Sequence, residues 1–201
     1  MLWRRPMKIW KQKKNNDKMT LSNYAGFMLL LSFLSCCNQT NKVLQKELEN
    51  EKVLSDKAET TINAWHLAAS KADFEAYFDL MTSDGVFIGT DATENWQNDA
   101  FKSFSKPYFD TGKAWHFTPM ERNIYVDKEQ NTIWFDELLN TQMGICRGSG
   151  IMKLEDDQWK IRHYVLSIAI PNEKTTQVIS LKKEWDSIFI QALTKSPLSK
   201  K

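Results

Sequence analysis

The chain has 201 residues, with 27 lysines and arginines against 25 aspartates and glutamates, for a formal net charge of +2. Much of the basic excess lies before residue 20, and no basic stripe follows it. The composition therefore gives no support to nucleic-acid binding, and the aromatic residues of the chain need another explanation.

The first forty residues have the pattern of a secretion signal. A basic stretch precedes an apolar run from Tyr24 to Leu34, which is shorter than the roughly 20 residues of a membrane-spanning helix. It fits the apolar region of a signal peptide, of about 7–15 residues. The run ends in FLSCC, which resembles a bacterial lipobox, in which a cysteine is acylated and becomes the mature N-terminus. We expect lipidation at Cys36, with Cys37 as the alternative, and Met7 and Met19 are alternative start sites.

The predicted organisation has three parts. Residues 1–35 form the signal peptide, residues 36–53 a polar tether that grades into a helix, and residues 54–201 one domain, as their length suits. A protein of this kind is expected at the periplasmic or outer-membrane face of a bacterial envelope, held to the membrane by its lipid. Once a cysteine of the pair is acylated, Cys146 has no partner, so the core and not a disulfide must hold the domain together.

Helices are predicted first. Spacings of three and four place one set of apolar side chains on a single helical face, and these are Leu54, Ala58, Ile62, Trp65 and Ala69. Asp73 is a suitable N-cap for a second helix, Phe74 to Met81. A third helix is expected to begin near Thr93 and to end at Pro107, and a last amphipathic helix covers about residues 176–193.

The second half of the chain has the pattern of strands. They are predicted at residues 86–90, 115–119, 123–126, 132–138, 144–154 and 159–170, with polar turns between the later ones. Helices followed by antiparallel strands are typical of an α+β fold. We expect the sheet to curve around the N-terminal helices as a cone with one open mouth, with the last helix added to it.

Four short motifs follow one another along the chain in a characteristic order. GTDATENW at residues 89–96, WFDE at 134–137, CRGSG at 146–150 and WKI at 159–161 resemble a SnoaL-like domain of the nuclear transport factor 2-like superfamily, over about residues 55–172. The resemblance implies a cone-shaped α+β fold, often dimeric, with a pocket inside. That superfamily contains isomerases, cyclases and dehydratases as well as binding proteins without chemistry, so the fold does not settle the function.

His163 is the first candidate site residue. Alternation along the last strand puts Trp159, Ile161 and His163 on one face and Lys160 and Arg162 on the other. Because two neighbouring cations need water, we expect His163 to face the interior of the cone. There it could act as a base or contact a ligand, or it could be a core histidine satisfied by a neighbour.

Asp136 and Glu137 point to opposite faces of their strand, and the pattern does not say which one faces inward. An inward carboxylate is costly without a partner, and Arg147 on the next strand could supply one. That pair would form either the polar end of a ligand pocket or a salt bridge on a curved sheet. Gly148 and Gly150 beside Arg147 indicate a bulge, a bend or a close approach.

Aromatic residues are expected near the mouth of the cone. Trp96, Phe109 and Trp115 would line a pocket for an apolar or planar ligand, or else belong to the ordinary core. Cys146 is predicted to be a packed thiol. We expect no metal site, because the histidines and cysteines are not clustered, and no nucleotide cofactor, because glycine-rich phosphate motifs are absent.

The sequence thus favours a lipid-anchored envelope protein that binds a small, largely apolar molecule in its cone. One alternative is an isomerase or dehydratase that uses His163 with Asp136 or Glu137 as acid and base. The other is a non-catalytic scaffold that dimerises through a sheet face carrying Tyr164, Leu166 and Ile168. A homodimer is expected in either case.

Overall fold

A computed structural model of the protein describes the backbone of residues 19–195 and the side chains of residues 42–195. The first helix, α1, runs from Met19 to Ser70, and the chain divides into one unit up to Lys52 and a second from Val53 onward. The backbone of the segment predicted as a tether is therefore helical. The start of the predicted signal peptide and the side chain of Cys36 lie outside the described residues. No helix in the described part has both the length and the apolar character needed to cross a membrane.

The second unit contains all of the strands and three further α-helices. The helices are α2 (Phe74–Asp79), α3 (Asn98–Asp110) and α4 (Thr175–Lys195), the last preceded by a 3-10 turn at Asn172–Lys174. The strands are β1 (Met81–Ile88), β2 (Asn95–Gln97), β3 (Phe117–Asp127), β4 (Thr132–Thr141), β5 (Gly144–Glu155) and β6 (Gln158–Ile168).

The predicted apolar face of α1 is buried. Ala58, Ile62 and Trp65 are fully inaccessible and Ala69 nearly so, which confirms the helical spacing read from the sequence. Burial of each large side chain of this face contributes about 1.5–3 kcal/mol. The predicted cap of α2 is also present, because the backbone N–H of Ala76 donates to Asp73 Oδ1 at 3.0 Å. The buried face of α1 belongs to the same core as buried residues of α2, α3 and the strands.

The third helix differs from its prediction at both ends. It begins at Asn98, so Trp96 lies in β2, and it continues past Pro107 to Asp110. A proline removes its own N–H donor and crowds the carbonyl four residues earlier, but its own carbonyl still accepts from the N–H of Thr111 at 3.3 Å. A proline near the last turn of a helix therefore does not end it at that residue.

The sheet is six-stranded, in the order β2-β1-β6-β5-β4-β3. The predicted antiparallel meander is confirmed for β3 to β6, and the two strands predicted at 115–119 and 123–126 are one strand, β3, with a register shift near Met120. The pairing of β1 with β6 is parallel, so the sheet is mixed. Parallel neighbours need a long connection, and here the whole meander provides it. The result is an α+β cone, as expected.

A bulge in β6 reverses the predicted orientation of its side chains. Ile151 pairs with His163 while the next residue, Met152, pairs with Ile161, so Arg162 is an extra residue in the ladder. Beyond the bulge, Tyr164 is fully buried, while His163 is only partly covered. The prediction that His163 faces the interior is wrong, because an inserted residue moves every later side chain to the opposite face.

Candidate functional site

The inward carboxylate belongs to Glu137. Its neighbours in β4 alternate, with Phe135, Glu137 and Leu139 buried and Asp136 on the outer face. Glu137 is 0% exposed, which decides the alternative that the sequence left open. A buried carboxylate must find partners or lose its charge, and the question is which residues supply them.

Four donors surround the Glu137 carboxylate. Oε1 lies 2.8 Å from His66 Nε2 and accepts from the Tyr164 hydroxyl at 2.8 Å. Oε2 accepts two bonds from Arg122, at 3.0 Å from Nε and 2.7 Å from a terminal nitrogen. Asn63 in turn accepts from Arg122 at 2.7 Å. We call these five residues the carboxylate cluster.

The cluster is assembled from four elements of the fold. Asn63 and His66 lie on α1, and His66 follows Trp65 on the buried side of that helix. Arg122 of β3 is the direct register partner of Glu137 in β4. Tyr164 reaches Glu137 from β6 across Gly148, where a Cβ would lie 2.1 Å from the tyrosine oxygen. Close approach of Tyr164, and not a bulge in β5, explains this glycine.

The carboxylate of Glu137 is held in its charged form. Burial alone raises its pKa, but the hydrogen bond and charge of His66 and the ion pair with Arg122 more than offset burial, so the pKa lies below the ordinary value. For Tyr164, burial and the adjacent Glu137 charge raise the pKa well above its ordinary value. The hydroxyl therefore stays protonated and donates to Glu137.

A carboxylate with this set of donors is poorly placed to act as a base. Both oxygens already accept two bonds, so an additional proton would displace an existing donor. The cluster links α1 to three strands and orders the interior of the cone. Its chemistry as observed is that of a buried, neutralised anion.

The other predicted polar residues lie on the outer face. Arg147 is 60% exposed, and a terminal nitrogen is 3.8 Å from Asp136 Oδ1. Of the two predicted roles for this pair, the structure shows the salt bridge on the surface of the sheet and not the polar end of a pocket. The reason is that odd-numbered residues of β5 point outward in this part of the strand. Asp136 and His163 share this outer side, so the structure does not bring the predicted acid–base set together with Glu137.

A small cavity opens among aromatic rings of the cone. It has a volume of about 120 Å³, close to the ~150 Å³ of an apolar cavity that binds benzene. The rings that line it are Phe87, Trp96, Phe101, Phe104, Trp115 and Phe117. We call this space the aromatic cavity.

The rings of the aromatic cavity hold one another in place. Phe87 stacks on Phe101 and Trp96 on Phe104, each pair with ring centroids 4.2 Å apart. Trp115 stacks beside Phe101 at 5.7 Å. Such stacking stabilises a preformed wall of flat apolar surfaces, so a ligand need not order the side chains that it contacts.

Two of the three aromatic residues predicted to line a pocket do so, and the third lies in the core. Trp96 and Trp115 line the aromatic cavity, whereas Phe109 is 4% exposed and packs in the core against Phe74 and Tyr77. Cys146 is a fully buried free thiol, as the sequence predicted. Two larger depressions on the second unit have a more polar lining, and no cluster suited to a metal ion occurs within the described residues.

The aromatic cavity has one charged lining residue, Glu94. This side chain comes from the GTDATENW loop, and its Oε2 accepts from the backbone N–H of Asp91 at 3.1 Å. A Cβ on Gly89 would lie 2.1 Å from the same oxygen, so glycine gives the carboxylate its place above the loop. Glu94 is half-buried, and among the ion pairs of residues 42–195 none involves it.

Sequence reasoning missed His66, Arg122 and Asn63 as partners of Glu137. A signal for His66 was present, since it lies four residues after Ile62 and three before Ala69, on the same helical face. No such signal existed for Arg122. Its pairing depends on the β3–β4 register, and the shift near Met120 falls in the segment where the sequence predicted a break.

Solved structures confirm the fold. A function-unknown protein from Mycobacterium tuberculosis has a TM-score of 0.52 at 13% identity, covering 64% of this chain and 79% of its own. An NTF2-like protein from Pseudomonas putida has a TM-score of 0.51 at 12% identity, covering 60% and 92%. The association domain of C. elegans CaMKII has a TM-score of 0.50 at 18% identity, covering 59% and 98%.

Among curated proteins, no sequence matches this chain. The family model described as a SnoaL-like domain matches residues 58–171. That segment is more than half of the chain and contains α2, α3 and all six strands. With the cone-shaped sheet, the interior cavity and the structural neighbours described above, the match shows that the chain belongs to the SnoaL-like domain family of the NTF2-like superfamily.

Proposed function

We propose that this protein is a non-catalytic receptor for a small, largely apolar molecule. The observation that carries the proposal is the aromatic cavity, a preformed space with six ring side chains along its walls. Small-molecule sites are typically concave and apolar with few polar groups. The volume of about 120 Å³ limits the bound part of the ligand to about one ring or one branched group.

The acid–base alternative has less support. It requires a proton acceptor within hydrogen-bond reach of a bound substrate. Asp136 and His163 lie on the outer side of the sheet, and Glu137 is behind the cavity wall with its oxygens occupied. Phe117 lines the cavity and contacts His66 with ring centroids 5.6 Å apart, so one ring layer lies between the cavity and the cluster.

Ligand binding is tested by filling the cavity. Met143 lines it and is 37% exposed, so Met143→Trp should occupy the space without opening the core. The matched control is Met120→Trp, at a methionine that is 50% exposed on β3. Indole binding, measured by calorimetry, should be lost in the first variant and retained in the second. Equal binding by both variants would remove the aromatic cavity as the site.

The proposed setting is a bacterial envelope. The basic and apolar start of the chain and the cysteine pair at residues 36 and 37 favour an acyl anchor on Cys36, with the domain at the periplasmic or outer-membrane face. Mass spectrometry of the mature N-terminus tests this proposal. An acylated Cys36 is the expected result, and an unprocessed terminus would contradict it.

We also propose that the domain forms a homodimer through the outer face of its sheet. Of the scaffold face predicted from the sequence, Tyr164 and Leu166 are buried inside the cone and Ile168 is exposed, so that face does not form as predicted. An exposed apolar row instead crosses β3, β4 and β5 at Tyr125, Trp134 and Ile151, and it continues to His163 on β6. The first two rings stack at 5.5 Å. An apolar row of this kind fits a self-complementary interface.

Sedimentation tests the dimer. Trp134→Glu should give a monomer, because a charge on a central exposed ring would be buried in the interface. The control Leu67→Glu changes an equally exposed apolar residue on α1, which is 52% exposed against 44% for Trp134. The dimer should survive that change. A monomeric parent protein would contradict the proposal directly.

A further inference from the structure

The charge of Glu94 carries an inference about the class of ligand. Its carboxylate is at the wall of a cavity that is otherwise aromatic and apolar. A half-buried anion normally has a cation or several donors as partners. Within the described residues, the Glu94 carboxylate accepts one hydrogen bond, from the backbone N–H of Asp91 to Oε2 at 3.1 Å.

No ion pair within the described residues involves Glu94. Lys182 lines an adjoining depression together with Glu94, but its ammonium pairs with Asp186 at 3.5 Å. The carboxylate therefore lies at the rim of the aromatic cavity without an ion pair to a described residue.

Aromatic walls provide the second part of a cation site. The face of an aromatic ring attracts a cation within about 6 Å of its centroid, and tryptophan does so most strongly. The aromatic cavity has two tryptophans, Trp96 and Trp115, and four phenylalanines. Recognition of methylated ammonium groups by several rings is the best-known use of this interaction.

We propose that the aromatic cavity takes a small organic cation of the methylated ammonium class, with Glu94 as its counter-ion. This inference rests on the proposed receptor function and names the ligand class for the same site. The methyl groups of a methylated ammonium present an apolar surface to the rings. Its positive charge would pair with the carboxylate of Glu94. Its size also fits a cavity that holds about one ring.

A pair of probes of equal shape tests the charge. Choline has a trimethylammonium head, and dimethylbutanol is the neutral alcohol in which a carbon replaces the nitrogen. The full chain, purified in detergent, is titrated with each probe, and binding is followed by tryptophan fluorescence and calorimetry. We expect choline to bind at least tenfold more tightly. Equal affinities would overturn the inference, and this result does not depend on any variant.

The variant Glu94→Gln tests the counter-ion. Glutamine keeps the acceptor for the Asp91 N–H, so we expect choline affinity to fall about tenfold while dimethylbutanol affinity is unchanged. Glu121→Gln, at an exposed glutamate of β3, is the matched control and should leave both affinities unchanged. A parallel loss for both probes in Glu94→Gln would mean that Glu94 only braces the loop, and would overturn its role.

Indole distinguishes failure of this inference from failure of the proposed function. If indole binds and choline shows no preference over dimethylbutanol, the receptor function stands and the cation class is wrong. If none of the three probes binds, both proposals fail. If choline binds but Met143→Trp does not weaken it, the cation binds elsewhere and the aromatic cavity is not its site.

Discussion

The domain contains two glutamates in opposite situations, one inside the cone and one at the rim of the aromatic cavity. Glu137 is fully buried and receives four hydrogen bonds from His66, Arg122 and Tyr164. Glu94 is half-buried at the aromatic cavity and receives one. A carboxylate with every lone pair satisfied holds structure together, whereas one without a counter-ion beside an open space is available to a ligand. The contrast supports the proposal that a ligand binds at the Glu94 end of the cone.

The largest expected effect follows from removing the counter-ion of Glu137. Arg122→Leu leaves a buried carboxylate without its bidentate partner, and we expect a loss of about 3–5 kcal/mol in the free energy of unfolding. The Arg122 and Glu137 side chains are 7% and 0% exposed, so solvent cannot replace the lost bonds. Denaturant unfolding measures the effect.

Arg147→Leu is the matched control for this prediction. Its ion pair with Asp136 is exposed and 3.8 Å long, so we expect a loss under about 0.5 kcal/mol. If the two arginine variants were equally destabilised, Glu137 would not depend on Arg122, and the comparison between the two glutamates would fail.

A smaller effect is expected from Gly148→Ala. The new Cβ would lie 2.1 Å from the Tyr164 hydroxyl, so the ring must move and its bond to Glu137 must lengthen. Overpacking and a lost hydrogen bond together predict a cost of about 1–3 kcal/mol. Ser149→Ala, on the outer face of the same strand, should change stability by less than about 0.5 kcal/mol.

A double-mutant cycle sharpens this prediction. In a Tyr164→Phe background the closest clash is removed, so Gly148→Ala should cost less than it does in the parent protein. Thermal or denaturant melts of the four proteins measure the coupling. Strict additivity would show that Gly148 is not there to admit the hydroxyl.

Acid titration tests the charge of Glu137. Its folded pKa lies below the ordinary 4.5, so its contribution to stability is complete above that value and is lost as pH falls through the folded pKa. Within this window one such group contributes a slope of up to about 1.4 kcal/mol per pH unit. Glu137→Gln should be less stable at neutral pH but should show a shallower acid slope.

The control is Asp136→Asn, measured at neutral pH. This carboxylate is partly exposed on the neighbouring position of β4, and its replacement should cost less than about 0.5 kcal/mol in the free energy of unfolding. An unchanged slope in Glu137→Gln would mean that the pKa of Glu137 is the same in the folded and unfolded states, contrary to a pKa lowered by His66 and Arg122.

The sequence predicted the fold because periodicity reports burial. The face of α1 with Ile62 and Trp65 and the cap at Asp73 follow from local rules, and both are confirmed. The family motifs added the cone shape. These features depend on neighbouring residues or on whole-chain order, which a single sequence contains.

The carboxylate cluster could not be predicted from the sequence, because it depends on contacts between residues far apart in the chain. Two irregularities, at Arg162 in β6 and near Met120 in β3, set which residues meet across the sheet. The inserted residue does not change the sequence pattern of Ile161, His163 and Val165. It does turn the side chains after the bulge to the opposite face of the sheet. The inward carboxylate and its partners therefore follow from strand register, which the pattern of one strand does not contain.

The smallest expected effect completes the comparison. Glu94→Gln retains an acceptor for the Asp91 N–H and removes a charge that no cation of the described chain pairs with, so we expect the free energy of unfolding to change by less than about 0.5 kcal/mol. Arg122→Leu at the other glutamate should cost several times more. Denaturant melts of the two variants, in the absence of any ligand, measure the difference. A loss above about 1 kcal/mol in Glu94→Gln would make Glu94 a structural residue of its loop, because a side chain held for a ligand contributes little to the stability of the empty protein.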